Sequence, residues 1–205
     1  MCSEVRRSDA RDNRERILTV ARAAFAGEGL DVPIRKIARW AGLGPATVYR
    51  HFPSKKDLLA AAFAESMATC STIVEEGLAA ADPWDGFCRV VERLMEVHAL
   101  DRGFSRAFTS RVPKTTTWFA EGRDRTLRLT LELVRRAKDP GDLRDDFVLE
   151  DIVLALMANS GIRAESPAAG AAASRRLTAF MISSFRTEPE PAPLPPPARL
   201  LLAPR

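Results

Sequence analysis

Tyr49, Arg50, His51, Lys55 and Lys56 crowd into the stretch "TVYRHFPSKKDLL". Their side chains suit a polyanion. A guanidinium forks onto a phosphate or onto the O6/N7 edge of guanine. An ammonium is a compact point charge for phosphate. A phenol or an imidazole donates a hydrogen bond to a phosphate oxygen. The two lysines open a helix, where the dipole is positive and cations are disfavoured. Ser54 is placed to cap that helix, and Asp57 to close a capping box in place of the usual Glu or Gln. Asp57 then relieves part of the conflict. Free N–H groups together with Lys55 and Lys56 leave a site prepared for an anion.

Such residues work only if something holds them in register. The preceding stretch "IARWAGLGPATVYRHF" has the spacing for it. Two helices that cross within a few residues need a small residue at the crossing, and Ala38 supplies it. The turn needs a residue that tolerates positive φ, and Gly42 supplies that. Ile37, Leu43 and Val48 are placed to lock the second helix onto the first. This is the pattern of a helix-turn-helix. A helical hairpin without a ligand would use the same scaffold. In a helix-turn-helix the second helix presents its N-terminal residues to base edges in the major groove. Here those are Pro45, Ala46, Thr47, Tyr49 and Arg50, with Arg35 on the preceding helix as a further base reader. Arg50 suits guanine, and Thr47 and Ala46 suit a thymine methyl. Arg50 also reads as a solvated or phosphate-bound arginine, and His51 as a capping or packing residue.

The remaining chain reads as helices. Residues 1–11 are polar and are expected to form a flexible basic arm. Ile17, Ala21, Ala24 and Phe25 recur at helical spacing, with Gly27 and Gly29 as stop signals. Pro33 suits the first turn of a second helix. Pro45 opens a short third one that Pro53 closes, and Ser54 starts a long fourth. Further helices are expected over roughly 84–99, around Phe104 and Phe108, over 115–138, from about Leu149, and around Leu177–Phe185. "DPGDL" marks a turn. Residues 167–173, rich in Ala, Gly and Pro, read as a loop or a frayed helix start. Residues 187–205 hold seven of the 14 prolines and are expected to be disordered or polyproline II.

Composition narrows the classes. Aromatics are 7% of 205 residues, and strand-like alternation is scarce, which favours an all-α protein. Residues 1–56 carry 12 Lys or Arg against 6 Asp or Glu, and the rest 19 against 21. A basic first quarter points to a polyanion partner, although a solvated arginine-rich arm gives the same balance. Cys2, Cys70 and Cys88 are far apart, which fits neither a zinc site nor a disulfide framework and suits a reducing cytoplasm. No signal peptide is visible, and no apolar run approaches the ~20 residues that span a bilayer. No catalytic constellation, metal-ligand cluster or cofactor loop stands out, so neither an enzyme, a cofactor nor a metal is expected.

On the residues "ILTVARAAFAGEGL", "IRKIARWAGLGPATVYRHF" and "PSKKDLL", the span from about Arg14 to Leu59 resembles the DNA-binding domain of the TetR family of bacterial regulators. The resemblance covers about a quarter of the chain. It implies a helix-turn-helix domain over 12–56 and a helical regulatory and dimerisation domain over 57–186. It implies that Tyr49, His51 and Lys55, with Lys56 beside it, hold phosphates, and that Arg35 and Pro45–Arg50 face bases. Pro33 and Ala46 depart from the family's usual Thr and Gly. The implied protein is a cytoplasmic homodimeric repressor on palindromic operator DNA, released by an unidentified small-molecule effector and not membrane-bound. An activator or ligand-independent DNA binder is an alternative, and so is a helical binding protein or enzyme that never meets DNA. An effector pocket is expected among Trp84, Phe87, Met95, His98, Phe104, Phe108, Trp118 and Phe119, although most aromatics at helical spacing are simply core. Ile152, Val153, Leu156, Met157, Leu177, Phe180 and Met181 are expected at a four-helix dimer interface.

Overall fold

The computed structural model describes the backbone of residues 2–109 and 117–187, with side chains from residue 10 onward except at 117, 118 and 120. These residues form the helices α1 (Cys2–Glu28), α2 (Ile34–Trp40), α3 (Pro45–His51), α4 (Lys55–Leu78), α5 (Pro83–Leu100), α6 (Arg102–Thr109), α7 (Thr117–Lys138), α8 (Leu149–Ser160) and α9 (Pro167–Phe185). Among the described residues the sole β feature is an isolated antiparallel bridge between Leu143 and Arg186. The fold is all-α, as expected.

Two boundaries differ from the sequence reading. The first helix begins at Cys2 rather than after residue 11. The expected loose arm holds no Gly or Pro to break it, so the helix extends back through the polar residues. Residues 167–173 are the start of α9 and not a loop. Ser166 accepts a hydrogen bond from the Ala169 N–H (3.2 Å), and Pro167 occupies the first helical position, where its missing N–H costs nothing. The tail beyond Thr187 lies outside the described residues.

The helices α1 to α3 form a compact head, with α1 packed on α2, α4 and α6. The long helix α4 leads from the head into the rest, so the expected boundary at 56/57 falls in its first turn. There α4 packs on α5 and α7, and α5 packs on α8 and α9. The crossing of α4 and α5 is close enough to demand glycine. A Cβ on Gly86 would lie 2.4 Å from the Gly77 carbonyl oxygen, and one on Gly77 would lie 2.2 Å from the Val90 side chain.

By length and hydropathy α4 passes as a membrane span. Leu58, Ala62, Phe63, Met67, Cys70, Ile73 and Val74 are nevertheless buried in the protein's own core. That core is continuous from Ile17 and Phe25 in the head to Leu156 in α8.

Candidate nucleic-acid interface

The head is built around the α2–α3 turn. Ala41 ends α2, and Gly42 follows with φ of 65°. The Leu43 N–H bonds the Ala38 carbonyl (2.9 Å) and the Gly42 N–H bonds the Arg39 carbonyl (3.1 Å). This pair of bonds is a Schellman motif, which satisfies the last carbonyls of α2. A Cβ on Gly42 would meet nothing within 4 Å, so the need for glycine there is conformational. Ile37, Ala38 and Val48 are fully buried, and Leu43 packs partly buried against them. The five expected scaffold residues are therefore brought together.

Burial of Val48 and Phe52 fixes which face of α3 points out. Pro45, Ala46, Tyr49 and Arg50 are exposed and Thr47 is half-buried, as is His51. Arg35 is exposed in the first turn of α2. Arg39 and Trp40 are exposed as well, with the Lys36 ammonium 4.8 Å from the Trp40 ring centre. Lys36 is also paired with Glu28. Sequence reasoning passed over Arg39 and Trp40, whose spacing from Arg35 places all three on the outer side of α2.

The start of α4 has the expected capping box. The Asp57 N–H bonds the Ser54 hydroxyl (3.2 Å), and the Ser54 N–H bonds the Asp57 carboxylate (3.0 Å). The box uses the Asp57 N–H, so the donors left for an anion are the N–H groups of Lys55 and Lys56 and their ammonium groups. Lys56 is exposed and Lys55 half-buried. His51 and Arg50 sit in the last turn of α3, where their charge also complements that helix's negative end.

The expected effector pocket is not assembled as one lining. Phe87, Met95, His98, Phe104, Phe108 and Phe119 are buried core residues. Their rings fall into two clusters, with Phe119 edge-on to Phe104 in the first. One joins Phe25, Phe63, Phe104 and Phe108 around His98, whose ring lies 5.0 Å from Phe104 and 5.1 Å from Phe108. The other stacks Trp84 on Phe87 (5.6 Å) and sets Phe87 edge-on to Phe147 (5.5 Å). Hydrophobic side chains at helical spacing bury against each other first. Trp118 lies outside the described side chains. A cleft of about 650 Å³ does exist, between α1, the α5–α6 joint and the α8–α9 turn, and of the expected lining only His98 reaches it. Asn159 stands beside it, a polar residue on the buried face of an apolar helix. Its position three after Leu156 was the signal in the sequence.

The expected dimer surface is also redistributed. Ile152, Val153 and Leu156 are buried within the chain, and Leu177 and Met181 pack partly buried on its core. The face of α8 that turns outward carries Leu154 and Met157, 55% and 42% exposed, and α9 offers Phe180, 59% exposed. The described residues of one chain leave those three side chains largely uncovered. Among the described residues no group of three His, Cys, Asp or Glu is placed to hold a metal.

The fold and the head define a helix-turn-helix protein with a large helical second part. Residues 17–62 match the family described as bacterial regulatory proteins, tetR family. An HTH-type transcriptional regulator of Staphylococcus aureus (strain USA300) is 43% identical over 53 residues, 25% of this chain and 29% of the relative. The aligned stretch thus spans under a third of the relative's length. A TetR transcriptional regulator from Streptomyces coelicolor is 26% identical, with TM-score 0.52, covering 84% of this chain and 98% of that one. A regulatory protein in the tetR family from Rhodococcus RHA1 shares the fold at 20% identity, TM-score 0.64, over 84% of this chain and 96% of its own. The family match thus covers residues 17–62, and over most of its length the chain is similar in fold to regulators of that family.

Proposed function

We propose that this protein is a homodimeric transcriptional repressor that binds palindromic operator DNA and leaves it when a small molecule binds. The observation that carries this reading is the outward face of the head. Arg35, Pro45, Ala46, Tyr49 and Arg50 are exposed on two locked helices, and the capped start of α4 presents Lys55 and Lys56 directly after them. Thr47 and Arg50 read bases, with Arg35, while Tyr49, His51, Lys55 and Lys56 hold the backbone. The phosphate contacts set the register in which α3 meets the groove.

Dimerisation rests on the uncovered side chains Leu154, Met157 and Phe180, which a two-fold copy of α8 and α9 would bury in a four-helix bundle. Two heads then read half-sites one helical turn apart, ~34 Å, or a multiple of it. Release requires an effector that binds the DNA-bound and free states with different affinity. The site of action is the cytoplasm, where the operator is.

Selection of bound duplexes from a random pool tests the reading. The expected product is a dyad-symmetric consensus whose half-sites repeat at the helical period. Recovery of no consensus, or of an asymmetric single site, would contradict it.

A further inference from the structure

We propose that the cleft between α1, the α5–α6 joint and the α8–α9 turn is the effector site, and that it takes a neutral, largely apolar molecule presenting a hydroxyl to His98 and Asn159. The inference rests on the ligand-responsive reading above and adds the place and the chemistry.

Size comes first. About 650 Å³ falls within the range of sites for organic ligands. Alanines of α1 and α9, with Leu100 and Ile162, make much of the wall apolar.

Two fully buried polar side chains stand at this wall with hydrogen-bonding capacity unused. Among the described residues neither imidazole nitrogen of His98 has a partner, nor does the Asn159 side-chain oxygen. The Asn159 amide is tied to the Met95 carbonyl (2.8 Å), which fixes where its oxygen points. Buried polar atoms are costly to leave unpaired, and such orphans call for an explanation. Phe104 and Phe108 pack on the His98 ring and offer it no polar partner. A neutral imidazole has one donor and one acceptor, and the amide oxygen accepts. A hydroxyl answers the imidazole N–H and one of the two acceptors, and a ketone answers the N–H alone.

Charge argues against an ionic ligand. The described lining of the cleft has two cations, Arg22 and Arg102, and two anions, Asp101 and Glu165. Arg22 donates through Nε to the Ala62 carbonyl (2.8 Å) and Arg102 to the Ile162 carbonyl (2.9 Å). Asp101 accepts from the Ser66 hydroxyl (3.1 Å) and the Phe104 N–H (2.9 Å). The charges balance, and three of the four hold the surrounding turns together.

The position couples the site to the head. Ala23 and Ala26 of α1 form one wall, and the same helix sends Ile17, Ala21 and Phe25 into the core of the head. A molecule that wedges α1 away from the α5–α6 joint therefore moves the element on which α2 and α3 rest.

Fluorescence titration of the full chain with 2-naphthol, naphthalene and 2-naphthoate tests the proposal. The expected result is that 2-naphthol binds about tenfold more tightly than the other two. His98→Phe and Asn159→Leu should erase that advantage, and Ala23→Trp, at an exposed position on the rim, should abolish binding. Equal binding of all three, naphthol binding that survives Ala23→Trp, or no naphthol binding up to its solubility limit would each overturn the proposal. DNA binding is measured separately with saturating 2-naphthol. Binding in the cleft without loss of DNA leaves the site standing and removes the ligand-responsive reading.

Discussion

Between pH 7 and pH 5, acid should destabilise this protein chiefly through His98. His98 is fully buried, without a hydrogen-bond partner among the described residues, and burial pushes its pKa from the ordinary 6.5 down to about 3. The folded chain therefore holds the imidazole neutral while the unfolded chain protonates it. The stability at stake is fully present above pH 6.5 and is lost as the pH falls toward 3. Each pH unit well inside that window costs ~1.4 kcal/mol, so moving from pH 7 to pH 5 removes about 2 kcal/mol. Urea unfolding followed by far-ultraviolet circular dichroism, at fixed protein concentration, gives this difference directly. His98→Leu keeps the site apolar and removes the proton. Carboxylates titrate alike in both proteins, so the wild type should lose about 2 kcal/mol more than the variant between the two pH values. Equal losses would refute the reasoning, because they would mean that the folded chain accommodates a charged His98.

The packing and the head can be probed in the same way. Gly86→Ala should lower the thermal midpoint by many degrees, because its Cβ meets the Gly77 backbone at 2.4 Å; an unchanged midpoint would mean that α4 and α5 are not this close. Gly42→Val should cost ~1–3 kcal/mol through strain at positive φ alone, read by chemical denaturation, with no cavity to offset it. Ser54→Ala should cost ~1 kcal/mol of stability through loss of the α4 cap. Arg50→Ala should broaden the selected DNA consensus at one position per half-site, whereas an unchanged consensus would make Arg50 a backbone contact.

Most of the head was legible in the sequence. Gly42 and the capping pair Ser54/Asp57 act through local backbone chemistry, and local chemistry is written in adjacent residues. The order of helices was legible from apolar spacing for the same reason. The start of α1 was not, because polar residues carry no periodic signal while still permitting a helix. The second part was harder. Apolar spacing says that Ile152, Val153 and Leu156 are buried, but not whether the chain or a second copy buries them. It likewise cannot separate Phe87 from Phe104, which share a composition and a period yet pack in different clusters. The cleft depends on three elements distant in sequence. Its sequence clue was a polar residue, His98 or Asn159, on an otherwise apolar face.

If the outward face of α3 and the start of α4 hold a DNA backbone, as proposed, binding must depend steeply on salt. The direct measurement is therefore the salt dependence of affinity for the selected duplex, for the wild type and for Lys55→Ala. Log affinity should fall linearly with log salt in the wild type. In Lys55→Ala the affinity for every sequence should drop, and the slope should flatten by about 1 for each phosphate no longer neutralised. A wild-type slope near zero, or a Lys55→Ala protein with unchanged affinity and slope, would contradict the proposal.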